Sequence, residues 1–63
     1  MTIPGGWRVY RAEEAGAPEL HVAGSWYFEP LDWDGDIFSD ACPTREEAIE
    51  LCREWVEREG VGA

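Results

Sequence analysis

The chain contains no lysine, no asparagine and no glutamine, and His21 is the single histidine among its 63 residues. Each absence narrows the field. With one imidazole, a histidine-based metal site would have to recruit several carboxylates or thiols, and few groups titrate near neutral pH for general acid–base work. An enzyme is therefore the least favoured function class, and no cofactor is expected. Two cysteines, Cys42 and Cys52, are too few for a disulfide framework and lack the spacing of redox and zinc motifs. No apolar run is long enough to span a membrane, and Met1-Thr2-Ile3-Pro4-Gly5-Gly6 lacks the charged and apolar regions of a signal peptide. Gly5-Gly6 precedes a strand instead of following one, so it is not a phosphate loop.

What is present is acid. Fourteen Asp and Glu against five Arg give a formal net charge of −9. That charge opposes direct binding to nucleic-acid phosphates and favours a protein with a basic surface as partner. The same charge also serves plain solubility, and it keeps the chain a monomer or at most a weak homodimer. Using arginine alone for positive charge is the habit of GC-rich genomes. Eight aromatics, four of them tryptophan, and 44% hydrophobic residues exclude a disordered chain. The length allows one core, so residues 1–63 are expected to form a single domain with 1–6 and 61–63 frayed. Two free thiols place it in a reducing cytoplasm.

The clearest element is C-terminal. Thr44-Arg45-Glu46-Glu47 fits a capping box, Pro43 lies just outside it, and Gly60 offers a residue free to take positive φ, which predicts a helix from Thr44 to Glu59. At 100° per residue Ala48, Ile49, Leu51, Cys52, Trp55 and Val56 share an apolar arc, and Glu46, Glu47, Glu50, Arg53, Glu54, Glu57 and Arg58 fill the other side. Upstream the period is two. Trp7 to Arg11 reads as a strand with Trp7 and Val9 on one face; a second strand runs from Leu20 to Phe28, with Leu20, Val22, Trp26 and Phe28 on one face and a bend at Gly24. Asp34-Gly35 signals a type I′ hairpin returning through a third strand at Asp36-Ile37-Phe38-Ser39. The fold class is thus α+β: a three-stranded antiparallel sheet in β-β-β-α order, packed by one helix, with Trp26 and Trp55 meeting between the layers.

Asp32-Trp33-Asp34-Gly35-Asp36 alternates carboxylates as the start of an EF-hand loop does, but the position for glycine is Ile37 and that for the bidentate glutamate is Pro43. It reads as an acidic turn, and no metal site is assigned. His21 reads as a strand histidine. Cys42 precedes a helix N-terminus, a place that lowers thiol pKa, whereas Cys52 on the apolar arc is a small hydrophobe. Trp33 stands among carboxylates beside the turn and is the preferred aromatic contact for a partner. The candidate partner-binding residues are Glu46, Glu47, Glu50, Glu54 and Glu57 on the helix, with Asp32, Trp33, Asp34, Asp36 and Asp40 around the turn.

Two resemblances follow. The segment from Trp26 to Trp55, with Thr44-Arg45-Glu46-Glu47-Ala48-Ile49 opening a helix, resembles the N-terminal β-β-β-α part of HicB-type antitoxins; it departs at Glu29-Pro30-Leu31-Asp32, and Cys42 replaces a glycine. That resemblance implies a binder that neutralises a toxin. In character alone, a very short, acidic, lysine-free chain is similar to phage-encoded inhibitors such as anti-CRISPR proteins, several of which mimic DNA. This implies carboxylates on a rigid scaffold filling a cationic groove that otherwise holds phosphates.

Overall fold

The computed structural model describes residues 2–59, so the expected cap at Gly60 and the fraying of 61–63 lie outside the described residues. Three regular elements carry the fold: strand β1 (Trp7–Arg11), strand β2 (Trp26–Pro30) and helix α1 (Arg45–Glu59). The strands pair antiparallel from Trp7 opposite Pro30 to Arg11 opposite Trp26. The sheet has two strands, not the expected three.

Alternation gives this small sheet two covered faces. Trp7, Val9 and Phe28 face α1, where they meet Cys52, Trp55 and Val56, with Phe38 and Ile3 closing the cluster. Ala48, Ile49 and Cys52 are the buried centre of the helix stripe. Leu51, placed in the apolar arc, sits at its margin and is 39% exposed. The helix opens on half of the expected capping box: the Glu47 amide donates to the Thr44 hydroxyl at 3.1 Å and the Ala48 amide to the Thr44 carbonyl at 3.2 Å, while the reciprocal bond to the Glu47 carboxylate is not formed among the described residues.

The opposite face carries Tyr10 and Tyr27, stacked with ring centroids 5.6 Å apart. It is covered by the segment between the strands, which holds two short 3-10 turns, Ala12–Glu14 and Pro18–Leu20. This corrects the long second strand. Leu20 and Val22 are 67% and 61% exposed instead of facing the core, because Gly24 at φ +79° and a turn from the Ser25 amide to the Val22 carbonyl break the extended path. The Tyr27 hydroxyl accepts the Val22 amide at 2.8 Å, pinning the loop to the sheet.

The third strand fails for equally local reasons. A type I′ turn needs positive φ at both central residues, and neither Asp34 nor Gly35 has it. Instead the Trp33 indole lies against Gly35, so closely that a Cβ there would sit 3.0 Å from the ring, and its N–H donates to the Asp36 carbonyl. Chain 36–41 then runs past β2 without a ladder. One bridge forms, Trp26 with Cys42, the two exchanging amide bonds of 2.8 and 2.9 Å. The next pairing would join Phe28 to Asp40. There the Ser39 hydroxyl intervenes, accepting the Phe28 amide at 3.0 Å and donating to the Asp40 carbonyl at 3.2 Å. Ser39→Ala removes the only acceptor described for that amide and should lower unfolding free energy by about 1–2 kcal/mol, read as a lower urea midpoint. An unchanged midpoint would mean that the amide closes onto Asp40 directly and the strand can complete itself.

The expected meeting of Trp26 and Trp55 does not occur among the described contacts: Trp55 packs edge-on to Phe38 at 5.3 Å, and Trp26 lies at the end of β2 beside Cys42. With two strands, the sheet that the antitoxin resemblance implies is not formed. The outer edge of β1 is blunted at both ends by the chain itself, the Trp7 amide donating to the Pro4 carbonyl at 3.2 Å and the Arg11 amide to the Glu14 carboxylate at 3.0 Å. Both contacts oppose addition of a further strand.

Candidate functional site

The sequence-derived site residues separate onto two sides of the molecule. Glu46, Glu47, Glu50, Glu54 and Glu57 are all exposed on α1, away from the sheet. Glu46, Glu50 and Glu54 recur every four residues, which stacks their carboxylates along one side of the helix at about 6 Å of rise per step. Asp40 joins this side. It borders a shallow cleft of about 260 Å³ together with Glu54, Leu51, Trp55 and Arg58. The Arg58 guanidinium lies over the Trp55 ring, 5.2 Å from its centroid.

Trp33, Asp34 and Asp36 line a different concavity, an open groove of about 610 Å³ on the face opposite α1. Its floor is the outward side of the strands. There the Arg8 Nε donates to Glu29 at 2.7 Å, and the guanidinium sits 4.8 Å from the centre of the Tyr10 ring. Burial, followed by the nearby Glu29 charge, pushes the Tyr10 hydroxyl up. His21 closes one wall, with Nδ1 2.9 Å from the Ala17 carbonyl and Nε2 3.1 Å from the Tyr10 hydroxyl. A ring nitrogen facing a carbonyl must carry the proton, so in the neutral imidazole Nε2 accepts from Tyr10. The strand histidine of the sequence reading is therefore a loop histidine that ties residues 17–21 to β1. Asp32 belongs to neither set: it is exposed on the turn after β2.

Arg8, Tyr10 and Glu29 do not stand out in the sequence, and His21 stands out only as the single histidine. The β1–β2 register sets Arg8 opposite Glu29 and Tyr10 opposite Tyr27, and the loop bonds of His21 to Ala17 and Tyr10 bring the imidazole to them. A reader who had placed β2 at Trp26–Pro30 would have found the Arg8–Glu29 pair; the longer alternating run from Leu20 hid it.

The charge is largely unpaired. Glu13, Glu29 and Glu59 are the carboxylates in ion pairs among the described residues, with Arg11, Arg8 and Arg58. No three His, Cys, Asp or Glu side chains converge on a metal-sized site among those residues. No described helix is long and apolar enough to cross a membrane.

Both thiols are free and buried. Nearness to a helix start does not lower the Cys42 thiol: burial, then the charges of Glu47 and Asp40, push it up. Burial alone pushes Cys52 up to about 11. Folding thus holds these protons on, and the unfolded chain ionises first as pH rises. The thiol contribution to stability is complete below the ordinary value of 9.0 and is lost as pH climbs through about 11. The thermal midpoint should fall across that window. Cys52→Ala, compared with its own midpoint below pH 9.0, should fall less steeply, with Cys42 and Tyr10 supplying what remains. Equal slopes in parent and variant would remove Cys52 from this account.

No protein-family model, no curated protein and no solved structure matches the chain.

Proposed function

We propose that this chain is a non-enzymatic, acidic protein-binding module that sets the outer face of α1 against a basic, nucleic-acid-binding surface of another protein, in the manner of a phage-encoded inhibitor that mimics the charge of DNA. The observation that carries this reading is the placement of Glu50, Glu54 and Glu57. Glu46 and Glu47 lie in the first helical turn, where the macrodipole favours acid, so their presence has a purely structural cause. The dipole gives no such support further along, and near the C-terminal end it opposes Glu57. Like charges four apart, as in Glu46–Glu50 and Glu50–Glu54, each cost about 0.2–0.5 kcal/mol.

Cations are within helical reach yet do not neutralise the row. Arg58, four residues after Glu54, pairs with Glu59 at 3.2 Å, and Arg53 makes no ion pair among the described residues. A rigid helix thus presents carboxylates to solvent at a cost in stability, which is the form a phosphate-mimicking surface takes.

The tagged protein, incubated with lysate of a high-GC bacterium, should retain a basic protein that binds nucleic acid. Retention should weaken steeply between about 0.05 and about 0.3 M sodium chloride, because the Debye length shrinks across that range and long-range attraction between exposed charges is screened. A retained partner that is acidic, or that stays bound irrespective of salt, would contradict the proposal.

A further inference from the structure

We infer that the groove opposite α1 is a docking site for an arginine side chain of the partner protein, held between the Trp33 indole and the carboxylates of Asp34 and Asp36. This deepens the proposed function and rests on it, since it names the partner group that the second acidic face would engage. The groove already shows how it treats a guanidinium. Arg8 is bound in one half by two partners at once: Glu29 takes its Nε–H at 2.7 Å, and the Tyr10 ring lies 4.8 Å from its central carbon. Carboxylate and aromatic ring act together there, one by charge and hydrogen bond, the other by its π face.

The other half holds the same two kinds of group, an aromatic ring and carboxylates. Trp33, Asp34 and Asp36 line the same groove, and no arginine of the chain forms an ion pair with either aspartate among the described residues. The indole is oriented in advance. It rests on Gly35, donates its N–H to the Asp36 carbonyl and packs edge-on to Phe38 at 5.0 Å and 82°, while the residue stays 41% exposed. A tryptophan fixed in this way costs little further ordering when a ligand stacks on it. Ile37, 37% exposed, and Leu20, 67% exposed, add apolar surface along the groove for the methylene stem of the arriving side chain. The planar, weakly hydrated guanidinium suits stacking and forked hydrogen bonding together, and the compact ammonium of lysine does not.

The test is an NMR titration of the full chain with three short capped peptides of equal length, built on arginine, citrulline or lysine. Citrulline keeps the shape of arginine and removes its charge. The arginine peptide should shift the Trp33 indole N–H and the amides of residues 33–37, with the citrulline and lysine peptides at least about fivefold weaker. Asp34→Asn with Asp36→Asn, both exposed positions, should leave the remaining spectrum in place and weaken the arginine peptide by about fivefold. Shifts confined to Glu50, Glu54 and their neighbours would overturn the groove site and leave the proposed function standing. Equal response to arginine and citrulline, or no response at 33–37 up to millimolar peptide, would overturn the inference. Failure of the lysate capture, with the groove shifts still seen, would instead strike the proposed function.

Discussion

Phe38→Ala is expected to be largely unfolded at room temperature. This ring joins every layer of the larger core: it lies 5.3 Å from Trp7, 5.0 Å from Trp33 and 5.3 Å from Trp55, all edge-on, and 6.0 Å from Phe28. Truncating a buried phenylalanine costs about 3–5 kcal/mol, the lost transfer energy plus the cavity left behind, and the half-buried Phe38 belongs at the lower end of that range. A single core in a domain of this size seldom supplies more than about 3–5 kcal/mol in total. The loss is not confined to one contact, because Phe38 is also what draws chain 36–41 onto the sheet and orients Trp33. Trp55→Ala should behave similarly, as its ring packs edge-on to Phe38 at 5.3 Å and lies under the Arg58 guanidinium. Circular dichroism and thermal melts decide the matter. A Phe38→Ala protein with the parent's melting curve would show that the segment after Trp33 is an appendage and not part of the core.

How far the sequence leads can be read from particular residues. The helix was legible because its signals are local and redundant: a threonine cap and an unbroken period of 3.6 across Ala48, Ile49, Cys52, Trp55 and Val56. Strand β1 was legible for the same reason, with Trp7 and Val9 alternating against Arg8 and Tyr10. The second strand was overextended because alternation from Leu20 to Phe28 looks continuous in one dimension. What ends it is Gly24 at positive φ together with a hydroxyl contact from Tyr27 to the Val22 amide, and side-chain bonds of that kind leave no periodic trace.

Asp34-Gly35 shows the opposite failure. The pair is a strong hairpin signal, yet the glycine serves a different need, giving the Trp33 ring room to lie flat. The third strand expected at Asp36–Ser39 does not form, since the Ser39 hydroxyl takes the place where a ladder bond would form, and the bridge on that side of β2 falls outside it at Cys42. For the candidate site, composition alone made the carboxylates visible and their exposure expected. Their division between the helix face and the groove was not visible, because it depends on which side of the sheet each loop covers.

The second large effect concerns binding. Glu50→Arg with Glu54→Arg should leave the melting temperature nearly unchanged, since exposed charges contribute about 0–1 kcal/mol. Along the helix the change makes the pair at 46 and 50 attractive, leaves 50 and 54 alike in charge and sets a cation four residues before Arg58, so these small effects largely cancel. Capture of the partner should nevertheless collapse, because each reversal replaces an attraction with a repulsion of similar range across the interface. Loss of capture together with loss of folding would be uninformative about charge, so the melt accompanies the binding measurement. Parent-like capture by a folded double variant would remove the helix face from the interface.

Charge mimicry makes a further demand that a generic acidic binder does not meet: the protein and nucleic acid must exclude one another on the partner. Competition therefore tests the central claim most directly. With the retained partner immobilised and the protein bound, the nucleic acid that the partner recognises should displace the protein as its concentration rises, and added protein should in turn release bound nucleic acid. A ternary complex, with protein and nucleic acid held together and neither weakening the other, would contradict the account.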